Sequence, residues 1–313
     1  MSGRRFERVA VLMGGPSDER EISLKSGAAV AGGLRDAGYA VCEVDVAGRE
    51  VVLPDGIEAV FIALHGEFGE DGQVQQILED MGMPYAGSGV EGSRMAMDKV
   101  LTKRAFDECG IPSAEYEVLS EGDRRTLELP VVVKPSCQGS SIGVHCVFSE
   151  GEWDAALADA FRHGGTLLVE KFVAGRELTV GVVGREALPV IEIVAADGWY
   201  GYDAKYTKGQ TEYTVPAEID AGIAAEAQGI ALKVFDALGC GGFGRVDFIL
   251  SDAGELVVLE LNTIPGFTET SLLPKAAACA GMSFSALCDR IMSGAGENDE
   301  LRTQNDESGM IKI

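Results

Sequence analysis

The chain has 313 residues, enough for two or three domains at roughly 100–150 residues each, and its 46% hydrophobic and 24% charged residues are an ordinary globular balance. Lys and Arg number 26 against 50 Asp and Glu, a formal charge of −24, which argues against nucleic acid or an anionic membrane as a partner while leaving room for local basic pockets. No apolar run approaches the ~18 residues of a membrane span, and the seven scattered cysteines form no C-x-x-C, so reduced thiols and a cytoplasmic location are expected.

The first third alternates strand and helix. Residues 9–13 (VAVLM) read as a buried strand, preceded by Arg4, Arg5 and Arg8 but too short for a signal peptide. After GGPS, a helix places Leu24, Ala28, Ala31 and Leu34 on one face. Strands are expected at 41–46 and 60–64, and a helix at 73–81 with Val74, Ile77, Leu78 and Met81 buried. Strands separated by helices indicate a parallel sheet with helical crossovers.

The middle third begins near Asp98, a helix N-cap, and its first helix stops at Gly110 and Pro112. Residues 129–134 form a strand ending in Lys134, Ser149 and Glu152 make a capping box, and 167–170 form another strand. A small α+β unit is expected here. In the final third a helix spans 216–238, with Pro216 in its first turn and Ile219, Ile223, Ile230 and Val234 on one stripe. Residues 244–250 and 255–262 form a hairpin. The polar, acidic tail from 294 to 313 is expected to be disordered. The domains divide as 1–97, 98–184 and 185–313.

The hairpin carries the sharpest chemical signal. Glu260 and Asn262 are two apart on a strand and share a face, opposite to Leu259 and Leu261. Asp247, on the partner strand, comes beside Glu260. Two carboxylates and an amide oxygen suit Mg²⁺ or Mn²⁺; otherwise they are a solvated polar face. Lys134 followed by the Gly/Ser-rich loop to Gly143 suits phosphates, though it is not the common P-loop. Asp18, Glu19 and Glu21 open the first helix, where they complement its dipole or hold an ammonium group. His65 stands at a strand end in a Gly-rich loop, structural or functional. Lys205 and Tyr206 lie in an aromatic-rich segment that is a surface loop or a closing lid.

Together these stretches resemble the D-alanine–D-alanine ligase family of the ATP-grasp superfamily. The matching blocks are GGPSDEREISLKSG, ALHGEFGEDG, GSGVEGSRMAMDK, VVVKPSCQGSSIGV, LVEKFVAGRELTV, YDAKY, GFGRVDF, LELNTIPGFTETSLLP and AGMSF, in family order over about residues 9 to 290. The resemblance implies a three-domain ATP-grasp fold, α/β with an α+β central part and an N-terminal Rossmann-like parallel-sheet domain. It also implies ATP between the central and C-terminal domains. Lys99, Lys134 and Lys171 match ATP contacts, Lys134 on phosphate; Glu170 and the Val173 backbone would read adenine, and Glu177 the ribose. Asp247, Glu260 and Asn262 match the ligands of divalent metal, expected as two ions of Mg²⁺ or Mn²⁺. Glu19 would hold the ammonium of the first D-alanine, with His65 nearby. Arg245 and the Gly266 N–H would form an oxyanion site, and Ser271 and Leu272 would bind the second carboxylate. Ser140 and Tyr206 would hydrogen-bond with Glu19, and Lys205 would face the phosphates and the second carboxylate.

The implied reaction activates one D-alanine as an acyl phosphate and joins it to a second for peptidoglycan synthesis. A homodimer is expected, as is common in relatives. Tyr206 favours the dipeptide over a D-lactate product. The alternatives are a ligase with another acceptor, such as D-lactate or another amino acid, and a regulatory nucleotide-binding relative, against which the intact set of Arg245, Asp247, Glu260 and Asn262 speaks. A dinucleotide oxidoreductase lacks its glycine fingerprint.

Overall fold

The structure is a computed structural model and describes residues 5–195 and 211–296. Lys205, Tyr206 and most of the expected tail lie outside these residues. Within them, the chain begins with β1 (Arg8–Gly14), α1 (Arg20–Asp36), β2 (Ala40–Val46), β3 (Ala59–Ile62), α2 (Gln73–Asp80), β4 (Tyr85–Ala86) and α3 (Val90–Met97). The four strands form the expected parallel sheet in the order β2-β1-β3-β4. Both faces of its centre are covered. Val9, Val11, Met13 and Phe61 pack on one side, while Ala10, Leu12, Val60 and Ile62 pack on the other. That explains why these strands read as continuous apolar runs.

The buried face of α1 differs from the expected stripe. Ala31 and Leu34 are buried, Leu24 is half-buried and Ala28 is exposed; the rest of the face is Ser23, Ser26, Gly27, Val30 and Gly33. The helix lies so close to β1 that a Cβ on Gly27 would fall 2.5 Å from the Met13 Cβ. Close approach selects small residues, which carry little hydrophobic signal. In α2, Val74 and Leu78 are buried as expected, but Met81 caps the helix end and is exposed.

Next come α4 (Lys99–Cys109), β5 (Tyr116–Ser120), β6 (Val131–Pro135), β7 (His145–Val147), α5 (Glu150–Ala160) and β8 (Thr166–Lys171). Asp98 caps α4 by accepting from the Val100 and Leu101 N–H groups, and Gly110 ends it with φ 59°. The Ser149–Glu152 capping box starts α5. The strands form a small antiparallel sheet, β5-β8-β6-β7, with its own core around Val131, Val133, Leu167 and Val169.

The remaining elements are β9 (Gly175–Val183), β10 (Glu186–Ala187), β11 (Ile191–Ala195), β12 (Thr211–Thr214), α6 (Ala221–Ala237), β13 (Phe243–Ser251), β14 (Leu256–Asn262), α7 (Leu272–Cys279) and α8 (Phe284–Ser293). They form a larger antiparallel sheet, β12-β11-β9-β13-β14, with β10 beside β9. Residues 175–183, which fall before the expected boundary at 184, therefore pair with the C-terminal strands. From α4, Phe106 also joins that sheet's core. α6 starts at Ala221 rather than 216, because Asp220 caps it on the Gly222 N–H while Ala217 N–H is spent on the Val190 carbonyl. Ile219 still packs on the same core. Finally α7 and α8 return to α1: Leu287, Cys288, Ile291 and Met292 share a cluster with Val30 and Leu34. Ala295 is buried and the Gly296 N–H donates to the Tyr85 carbonyl, so the chain remains packed past 294, where the disordered tail was expected to begin. Among the described residues no helix is long and apolar enough to cross a membrane.

Candidate active site

The hairpin places its acidic residues as expected. Asp247 lies opposite Glu260, and Arg245 opposite Asn262, across β13 and β14. The register shifts after Asp247, and Phe248 pairs with Val258. Leu259 is the extra residue of a β-bulge. It is thereby turned away from the core that Val258 and Leu261 enter and lines a cavity beside Glu260, contrary to the simple alternation expected from the sequence.

Asp247 is nearly buried and held on all sides. Arg245 donates through Nε and Nη2, both at 2.8 Å. Thr179 Oγ1 donates at 2.6 Å and Asn262 Nδ2 at 3.0 Å. Directing the Asn262 amide nitrogen to Asp247 leaves Oδ1 as its acceptor.

Two cavities meet at this hairpin. The first, about 560 Å³, lies between the loops after β1 and β3, the hairpin end and the start of α7. Glu19, His65, Ser140, Arg245, Asn262, Gly266, Ser271 and Leu272 all line it. Glu19 and His65 reach it from the carboxyl ends of adjacent parallel strands, the usual ligand edge of such a sheet. Ser140 donates a short hydrogen bond to Glu19. Ser140 and Ser141 both take left-handed backbone conformations, with φ of 49° and 59°.

His65 is buried and held at both nitrogens. Nδ1 donates to the Ile264 carbonyl at 3.0 Å and Nε2 meets Ser26 Oγ at 3.0 Å. Ser26 Oγ also accepts from the Phe267 N–H at 3.2 Å. His65 thus ties α1 to the turn that carries Gly266. Glu70, which the sequence reading left without a role, lies 3.6 Å from His65. Burial opposes charge on the imidazole, but Glu70 and Glu19 outweigh it and raise its pKa above the ordinary value. Burial likewise raises the Glu70 carboxyl.

The second cavity, about 330 Å³, lies between the small sheet and the large one. Lys134, Glu170, Lys171, Val173, Glu177 and Asp247 line it, while Lys99 and Glu260 line both cavities. Lys99 Nζ donates to the Gln138 carbonyl at 2.6 Å and stands 3.7 Å from Glu260 Oε2. Lys171 Nζ donates to the Glu128 carbonyl at 3.0 Å. Lys134 pairs with the buried Glu170, whose other oxygen lies 2.5 Å from Lys103 Nζ. Burial works against the Glu170 charge, yet the two ammoniums lower its pKa below the ordinary carboxyl value. Lys103 was missed in the sequence, where the only signal was its place four residues after Lys99 on one helix face.

Each expected site residue within the described range therefore lines one of two adjoining cavities. The first sets the Glu19 carboxylate among guanidinium, ammonium and hydroxyl groups; the second has lysines at one end and apolar walls of Val132, Ile249 and Leu259. An amino acid and a nucleotide suit these respectively.

A family model described as "D-ala D-ala ligase C-terminus" matches residues 105–293, and one described as "D-ala D-ala ligase N-terminus" matches 43–88. A D-alanine–D-alanine ligase from Syntrophotalea carbinolica is 49% identical over 295 residues, covering 92% of this chain and 96% of the relative. One from Desulforudis audaxviator is 48% identical, covering 93% and 99%. The solved D-alanine–D-alanine ligase of Bacillus anthracis superposes with a TM-score of 0.81 at 32% identity, covering 96% of this chain and 99% of that one. The same enzyme complexed with ATP also gives 0.81, at 30% identity. On the fold, the site and these likenesses, the chain belongs to the D-alanine–D-alanine ligase family.

Proposed function

We propose that this chain joins two D-alanines into D-alanyl-D-alanine, with ATP converted to ADP and phosphate. The junction of the two cavities at Lys99 and Glu260 supports the reading, because ligands filling both would meet there, an amino-acid carboxyl beside a nucleotide's terminal phosphate. In the first step a carboxylate oxygen of the first D-alanine bonds to the γ-phosphorus as the bond to the β–γ bridging oxygen breaks. ADP leaves and an acyl phosphate remains. In the second, the amine of the other D-alanine attacks the acyl carbon, loses a proton, and phosphate departs with that carboxyl oxygen.

The chain's own groups serve these steps by position and charge. Glu19, oriented by Ser140, anchors the first ammonium. Lys99 and Lys134 draw the phosphates, and Glu170, Val173 and Glu177 fit the nucleoside. Arg245 and the Gly266 N–H meet the oxyanion, where one such donor is typically worth ~2.7–4 kcal/mol. Ser271 and Leu272, at the start of α7, receive the second carboxylate. Lys205 and Tyr206, which lie outside the described residues, are assigned by the resemblance to the phosphates and to Glu19.

Mg²⁺ or Mn²⁺ fits the donor chemistry at Asp247, Glu260 and the free oxygen of Asn262, an all-oxygen set on one face of the hairpin. When bound, the metal neutralises charge on the transferred phosphoryl oxygens. Arg245 donates to Asp247 and also lines the cavity in which the oxyanion would form. Peptidoglycan precursor synthesis, a role in cell shape, a cytoplasmic location and a homodimer complete the reading.

A VanG D-Ala:D-Ser ligase from Enterococcus faecalis also superposes with a TM-score of 0.81, at 29% identity over 92% of this chain and 98% of that one, so acceptor choice is tested directly. Phosphate release from ATP is measured with D-alanine alone, L-alanine alone, and D-alanine with D-serine or D-lactate. Turnover with D-alanine alone and dipeptide as main product support the reading. Equal turnover with L-alanine, or preference for another acceptor, would refute it.

A further inference from the structure

Lys103 is an ionisable side chain with 1% exposure that the reaction scheme does not use; burial lowers its pKa, and the Glu170 carboxylate works against that to hold the ammonium form. It pairs with one oxygen of Glu170, while Lys134 takes the other. Lys134 and Glu170 line the nucleotide cavity; Lys103 lies beneath them and does not. Two ammoniums thus share one carboxylate, and only one of them faces the ligand space.

We propose that Lys103 is a positioning residue for nucleotide binding: it stays on Glu170 and thereby lets Lys134 leave that carboxylate for a phosphate. The proposal deepens the ligase reading and rests on it. The charge arithmetic requires such a partner. The three groups carry a net single positive charge. When Lys134 turns to a phosphate, the pair left behind is neutral. Without Lys103 the same move would strand a buried carboxylate, which is far costlier than keeping it paired. Lys134 would then be trapped on Glu170. The scaffold suits a fixed partner: Lys103 stands one turn after Lys99 on α4, whose start is capped by Asp98, and its ammonium lies 5.9 Å from the Tyr116 ring centre.

The test is titration of the whole protein with ADP in the presence of Mg²⁺. Lys103→Met should weaken ADP binding by roughly tenfold or more at about pH 8, the scale of losing a buried charge partner. Lys103→Arg should restore most of it. The deficit of Lys103→Met should shrink as the pH falls, because once Lys134 sits on a phosphate the stranded, buried Glu170 carboxyl takes up a proton. A merely structural lysine would lower stability without that pH dependence. A wild-type crystal structure with ADP needs no variant: Lys103 should remain on Glu170 while Lys134 Nζ contacts a phosphate. A Lys103→Met protein that binds ADP normally, a pH-independent deficit, or Lys134 still on Glu170 in the complex overturns the proposal. A wild type that binds no ADP overturns the ligase reading beneath it.

Discussion

Ser140 donates a hydrogen bond to Glu19 across 121 positions of sequence. The bond joins the glycine-rich loop of the small sheet to the start of α1, and so closes one wall of the amino-acid cavity. Ser140→Ala should raise the KM for the first D-alanine about 10-fold, since a hydrogen bond to a charged group is worth ~1.5–3 kcal/mol. Glu19→Gln should raise it further. Initial rates at varied D-alanine check both; an unchanged KM in Glu19→Gln would remove this residue from the amine pocket.

Glu260 faces Asp247 and borders both cavities. Replacing it with Gln keeps the volume and removes one anionic ligand of the proposed metal. Activity should fall by more than about 100-fold at limiting Mg²⁺, the upper end of what even an indirect metal partner costs. Near-normal turnover at any Mg²⁺ concentration would contradict the assignment.

His65 owes its raised pKa to Glu70 and Glu19, against burial. Glu70→Gln should therefore move the imidazole midpoint downward, as followed by NMR of the ring protons. The sign for stability follows. A histidine with a raised folded pKa contributes fully below its unfolded value of 6.5 and loses that contribution as pH rises through the folded value. Glu70, raised from 4.5, acts in the same direction. The wild type should lose stability relative to Glu70→Gln as pH rises above 4.5, where Glu70 begins to ionise in the unfolded chain, and further above 6.5, where His65 adds its part. An upward midpoint shift in the variant would reject this account.

Gly27 packs against Met13 with no room for a Cβ. Gly27→Ala should destabilise by ~1–3 kcal/mol through overpacking, seen as a lower denaturant midpoint. Adding Met13→Ala should leave most of the loss in place, because alanine keeps the Cβ that would lie 2.5 Å away. A stabilised Gly27→Ala would mean that helix propensity outweighs the contact.

Local rules carried much of the fold from sequence to structure. The Asp98 cap, the Ser149–Glu152 box and the Asp247–Glu260 pairing depend on neighbours or on a tight hairpin, so short-range spacing reveals them. The failures have tertiary causes. Ser26 and Gly27 are buried because α1 approaches β1 closely, and hydropathy cannot register that. Leu259 faces the cavity because a bulge breaks the two-residue period. Lys103 is buried because Glu170, 67 positions away, neutralises it; a lysine on a helix otherwise reads as solvated. The roles of individual site residues came from resemblance, and geometry adds which of them adjoin.

The central claim is that a D-alanine carboxyl oxygen attacks the terminal phosphorus where the two cavities join. D-alanine labelled with ¹⁸O in its carboxyl group tests this most directly, by mass spectrometry of the phosphate released with the dipeptide. The account predicts that each phosphate carries one carboxyl-derived ¹⁸O. Unlabelled phosphate formed in step with dipeptide would contradict it.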